Sequence, residues 1–223
     1  MVAGQESKNG CSEMDETDLH RLGLRCVLWL AAGLVGCSAL APAQTPVNLA
    51  DLNESGHIGV AGRSTPYVIR HLPVGSFPQL PEVVQDVLNR RGCMIPQTYE
   101  AHRPENVVHG SLESKGSSDW AVLCSVKGTA SLLVFFGSNP GQPIELASAP
   151  ETERLQSHDP SGVLGFNWGI DCASPEQVYE AQAGMNPRPP AIGHDALADS
   201  VVEHSTVYHF YAKGAWILLN TPN

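Results

Sequence analysis

Residues 120–137 read WAVLCSVKGTASLLVFFG, two apolar runs joined by a short turn that contains glycine. Runs of this length, rich in Val, Leu and aromatic residues, belong to paired strands rather than to a helix. Along the first run Trp120, Val122, Cys124 and Val126 fall on one face, with Ala121, Leu123 and Ser125 on the other. Both faces are mostly apolar, so a central strand covered on both sides is expected. The second run, SLLVFFG from residue 131, lacks alternation and carries the same expectation.

Upstream of this pair, residues 106–114 (NVVHGSLES) read as a strand that joins it through the polar turn KGSSD. Before that, residues 80–92 (LPEVVQDVLNRRG) predict an amphipathic helix. Pro81 suits the first turn, and Val83, Val84, Val87 and Leu88 recur on one side. Arg90 and Arg91 favour the negative end of the helix dipole, and Gly92 ends it. Downstream, residues 162–170 (GVLGFNWGI) read as a further strand. Residues 174–184 (SPEQVYEAQAG) read as a short helix capped by Ser174, opened by Pro175 and stopped by Gly184. STVYHFYA and AWILLN form a last hairpin through KG. Residues 44–78, rich in Gly, Pro, Ser and Asn, read as a linker that becomes an irregular entry segment. The expected fold is α+β, a mainly antiparallel sheet with two short helices, in one domain behind an export signal. Residues 1–36 hold the extension and signal, 37–78 the linker, and 79–221 the compact domain.

The 223-residue composition, 42% hydrophobic and 16% charged, fits an ordinary globular chain. From Gln44 onward there are 10 Lys and Arg against 18 Asp and Glu, a net charge of −8. A scattered acidic balance offers no footprint for nucleic acid, so no such partner is expected.

The run CVLWLAAGLVG, residues 26–36, is 11 residues long, against the roughly 20 a spanning helix needs. It fits the apolar part of a secretory signal, with Arg21 and Arg25 as the positive flank. The polar, acidic residues before it leave Met1 and Met14 as alternative starts. Two cuts follow the run. LVGC at residues 34–37 has the pattern of a lipobox, which would lipidate Cys37 and anchor the chain to an envelope membrane. APA at residues 41–43 suits an ordinary signal peptidase and would release a soluble chain from Gln44. Export to the periplasm or beyond is expected, with the anchored form slightly favoured.

An oxidising compartment favours one disulfide among Cys93, Cys124 and Cys172, with one thiol left over. Cys93 with Cys124, enclosing 30 residues, is the pair preferred, and three reduced thiols are the alternative.

Chemistry is harder to find. No spacing among the nine histidines fixes a metal site, and no cofactor motif is present. His194 and Asp195 form an adjacent pair and are weak binding candidates, with Asp199 one turn on if that piece is helical. His109 and Ser111 share a face of a predicted strand, a common arrangement that favours a polar pair over a catalytic dyad. Cys172 precedes a helix cap, which lowers a thiol pKa. Trp168, beside a Gly-flanked turn, is the candidate for an exposed ring that stacks on a ligand. Tyr208, Phe210 and Trp216 offer a hairpin face for a partner.

The segment RRGCMIPQ, followed by DWAVLCS and closed by the aromatic hairpin YHFYAKGAWILL, resembles a group of uncharacterised exported bacterial proteins. The likeness runs from about residue 80 to 219 and is most specific at residues 93–97 and 119–125. It supports pairing Cys93 with Cys124, since both sit inside the matching motifs, and it implies no activity. The function expected is a non-enzymatic exported module that binds a protein or a small envelope ligand. An envelope hydrolase drawing on His109, Ser111, His194 and Asp195 is the first alternative, and a purely structural lipoprotein the second.

Overall fold

A computed structural model describes residues 52–219 and residue 221 of the chain. The export segment, Cys37 and both cleavage sites lie outside those residues, as do residues 44–51 of the expected linker. No helix among the described residues is long and apolar enough to cross a membrane.

The described chain opens with strands β1 (Asn53–Val60) and β2 (Arg63–Pro73), followed by helix α1 (Glu82–Arg91). Strands β3 (Met94–Gln97), β4 (Val107–Gly110), β5 (Asp119–Val126), β6 (Thr129–Phe135) and β7 (Ile144–Pro150) come next. After β8 (Leu155–Ser157), β9 (Leu164–Phe166) and β10 (Trp168–Ala173), the chain forms helix α2 (Pro175–Ala181). It ends in β11 (Ala196–Val201), β12 (Ser205–Ala212) and β13 (Ala215–Leu219).

The strands form two sheets. The larger has the order β7-β6-β5-β3-β2-β9-β8, with β1 added to β2 and β4 to β5. All of its pairings are antiparallel except β2 with β9, so the sheet is mixed. The smaller is the antiparallel meander β10-β11-β12-β13.

The two faces of β5 fall in two different cores. Trp120, Val122 and Cys124 pack with Val84, Val87 and Leu88 of α1. Ala121 and Leu123 pack on the other side with Trp168 and Leu197 of the smaller sheet. A third cluster joins Ala196 and Ala198, on the outer face of β11, to Val178 of α2. The architecture is therefore four layers, α1, large sheet, small sheet, α2. A strand buried on both faces must be apolar on both, which is why β5 and β6 do not alternate. A disulfide joins Cys93, just past α1, to Cys124 on β5, with the Cα atoms 5.1 Å apart. It ties the outer helix to the central strand.

Local sequence sets the helix ends. Gly92 takes φ 73° and accepts the left-handed turn that closes α1. Ser174 and Gln177 form a reciprocal capping box at the start of α2.

Several expectations need correction. Residues 53–70 are not an irregular entry but a hairpin paired over its whole length, from Asn53 with Arg70 to Val60 with Arg63. Ala61 and Gly62 make its two-residue turn at φ 49° and 78°, the geometry that suits the twist of a hairpin. Its β1 is exposed on nearly every residue, so no hydrophobic period marks it. The strand expected over residues 106–114 stops at Gly110. The strand expected over 162–170 is two strands, β9 and β10, that leave for different sheets at Asn167. Asp195 and Asp199 do not lie on a helix, since Asp199 is in β11. Val83 faces water at 41% exposure, because α1 rests on Val84, Val87 and Leu88 alone.

Candidate functional site

β2 runs through the interior of the large sheet and places His71 opposite Pro96 of β3. Across the hairpin, Glu54 stands opposite Ile69, a diagonal step from His71 on the same face. Glu151 arrives from 80 residues away. It follows β7 at the start of a 3-10 turn, its amide N–H donating to the Gly128 carbonyl at 2.9 Å.

These three side chains converge. His71 Nε2 lies 2.7 Å from Glu151 Oε1, with side-chain exposures of 9% and 2%. Ligating atoms of Glu54, His71 and Glu151 all lie within 4.8 Å of one another. A cavity of about 220 Å³ opens beside them, lined by Glu54, His71, Met94, Ser125 and Lys127 among others. Glu151 Oε2 is buried and has no hydrogen-bond partner. A carboxylate oxygen kept from water without a donor is costly, on the order of 1–3 kcal/mol, so its position asks for an explanation.

Tyr67, on the same face of β2, senses this charge. Burial, then Glu54, then Glu151 push its phenol above its ordinary pKa. The ring lies over Gly56, where an added Cβ would come within 2.8 Å of it. Glycine there lets the aromatic ring lie flat across the hairpin.

The residues singled out from sequence are placed differently. Trp168, expected as an exposed ring, is fully buried between the sheets. Its indole N–H donates to Asp199 Oδ1 at 2.6 Å, and the Arg154 guanidinium sits 4.3 Å from the ring centre. Asp199 Oδ2 lies 3.2 Å from His209 Nε2, which completes a chain inside the small sheet. The role of Trp168 is core packing.

The His194 ring packs against Phe210 at a tilt of 32°, with centres 4.5 Å apart, and its Nδ1 contacts the Asp195 carbonyl at 3.1 Å. Asp195 Oδ2 accepts the Ser111 amide N–H at 2.9 Å, and both line a cavity of about 540 Å³ with His194, Lys115 and Glu176. The Ser111 hydroxyl donates to the Ser117 carbonyl at 3.0 Å, so it is not aimed at a histidine. His109 instead meets Ser118 Oγ, at 2.8 Å, with its ring 4.6 Å from Trp120. Its other nitrogen, Nδ1, is buried without a partner, so no acid orients the ring as nucleophilic catalysis requires. Cys172, expected as the spare thiol, is itself bonded and is not free.

Sequence reading passed over Glu54, His71 and Glu151. Each sits in a segment with no motif, and the sheet alone brings them together.

By class, the fold and site define a helix-flanked pair of β-sheets with a buried histidine–carboxylate pair at the rim of a small cavity. Set against family models, curated proteins and solved structures, the chain matches none of them.

Proposed function

We propose that the chain is an exported cell-envelope protein whose folded part is a non-enzymatic binding module for a small envelope ligand. The observation that carries the reading is the buried carboxylate of Glu151, which has one oxygen left without a donor and whose other oxygen meets His71, a residue that lines the cavity. Natural folds leave few such groups, and binding sites are among the places where the cost is tolerated. The export half rests on the apolar run at residues 26–36, its basic flank and the two cleavage patterns. A disulfide between Cys93 and Cys124 suits that destination, since such bonds persist outside the reducing cytosol. Membership of the uncharacterised exported group belongs to the same proposal, as does anchoring through a lipidated Cys37 in preference to release from Gln44.

Fractionation of producing cells, with intact mass and N-terminal analysis of the product, tests the export half. A diacylglyceryl mass on Cys37 or a free Gln44 supports it. A full-length chain in the cytosol with Cys93 and Cys124 reduced ends it. A hydrolase would show turnover of acyl or glycosyl model substrates that is lost in His109→Ala, and a structural lipoprotein would bind nothing at the cavity lined by Glu54 and His71.

A further inference from the structure

We propose that Glu54, His71 and Glu151 hold one divalent transition-metal ion, with zinc as the ion that fits best. The proposal names the ligand of the cavity described above, and so it rests on the binding-module reading.

The donor set argues for the class of ion. One imidazole with two carboxylates suits zinc and its first-row neighbours. Calcium takes six to eight oxygen ligands and magnesium a near-octahedral oxygen shell, and three donors including a nitrogen match neither. Charge argues the same way. Two carboxylates balance a divalent ion, and the unpartnered Glu151 Oε2 becomes a lone pair with something to bind.

The geometry needs only small adjustments. Zinc bonds of about 2.0–2.1 Å in a tetrahedron set neighbouring donors roughly 3.3 Å apart. His71 and Glu151, now 2.7 Å apart, would open by about half an ångström to admit the ion. Glu54 is exposed at the cavity mouth, so its carboxylate is free to swing inward. Three protein ligands leave the fourth position toward the cavity, where water or a small anion completes the shell. Lys127, the basic residue lining the same cavity, lies in the exposed β5–β6 turn and can turn its ammonium to solvent.

The test is isothermal titration of the untagged, metal-free full chain with zinc chloride. Wild type is expected to bind one zinc ion per chain. Removing a partner that merely supports a metal ligand costs about 10- to 100-fold in affinity, so loss of a ligand in Glu54→Gln should cost roughly 100-fold. His71→Gln should abolish the site, and Glu153→Gln, in the same turn as Glu151, should leave it intact. Glu54 is exposed, so its variant will fold, and far-ultraviolet circular dichroism checks this. Absence of saturable binding overturns the proposal. So does equal binding by wild type and Glu54→Gln, which would leave Glu54 outside the shell, or by wild type and His71→Gln, which would put the ion on other histidines.

A thermal-shift screen of the same metal-free protein with small polar organic compounds separates this failure from failure of the module reading. A compound that raises the Tm of wild type but not of Glu151→Gln, in a chain that ignores zinc, removes the metal and keeps the binding module. A chain that responds to neither loses both.

Discussion

β5 and β2 are both interior strands of the large sheet, and they are made of opposite materials. β5 is buried on seven of its eight residues and contributes apolar side chains to two cores. β2 pairs with β1, β3 and β9, yet among its eleven residues only Ile69 and His71 are fully buried. One strand organises the layers. The other carries a histidine inward to meet a carboxylate from 80 residues away. The strand easiest to read from sequence is the scaffold, and the strand hardest to read holds the candidate chemistry.

The severest way to break the scaffold is to remove the cross-link between α1 and β5. Replacing Cys93 and Cys124 by Ala opens a loop of 31 residues' separation. In the loop-entropy picture this costs about 3–4 kcal/mol. Urea unfolding should show the free energy extrapolated to water falling by that amount, with a steeper slope because the unfolded chain without the cross-link exposes more surface.

Asp119, the first residue of β5, comes next. It is fully buried, and its carboxylate accepts the N–H of Glu113 at 2.7 Å and of Gly137 at 2.8 Å, together with the Ser117 hydroxyl. Asp119→Ala leaves two backbone donors without acceptors, and a loss of about 2–3 kcal/mol is expected in the same assay. That a buried acid can be fully satisfied at one end of β5 sharpens the contrast with Glu151, which is not.

The two strands also explain what could be read in advance. Trp120 to Val126 advertise themselves because double-sided burial demands an unbroken apolar run, and the disulfide partner lies on that same run. The Ser174–Gln177 box and the two-residue turn at Lys213 and Gly214 are equally local. β1 and most of β2 show no period because one face is wet and on the other Ile69 is the one fully buried apolar side chain, set among Glu54, Gly56, Tyr67 and His71. Trp168 misleads for a related reason. The glycines around it permit an exposed turn, but the long-range pairing of β10 with β11 draws the ring inside. The meeting of His71 with Glu151 depends on the order of strands in the sheet, and nothing in either segment encodes it.

The third prediction changes sign. A buried ionic or polar pair is weak evidence for stability, and well-packed apolar replacements of similar volume are often neutral or stabilising. His71→Leu combined with Glu151→Met should raise stability by about 1–2 kcal/mol in metal-free protein, while every comparable double change on β5 lowers it. A loss instead of a gain would make the pair a structural support, and β2 no different in kind from β5.

The smallest effect is the most specific. Glu54 is exposed, so Glu54→Gln should move stability by less than about 0.5 kcal/mol. It should still be felt at Tyr67, whose phenol is held above its ordinary pKa by burial first, then by Glu54 and Glu151. A raised phenol pKa means that the folded chain keeps its proton longer than the unfolded one. Stability is therefore untouched below the ordinary value of about 10 and falls as pH rises through the folded value. Removing the Glu54 charge brings the folded value down and narrows that window. Absorbance at alkaline pH reads the shift, with Tyr67→Phe to assign the step. Tyr99, pushed up to about 12 by burial and by its hydrogen bond to Glu203, is an internal reference that Glu54→Gln should not move. Zinc, if it sits between the two carboxylates, should shift Tyr67 in the same direction as the substitution and leave Tyr99 alone. A Tyr67 step that ignores both would separate Glu54 from the charge at the cavity, and leave His71 and Glu151 as an isolated buried pair.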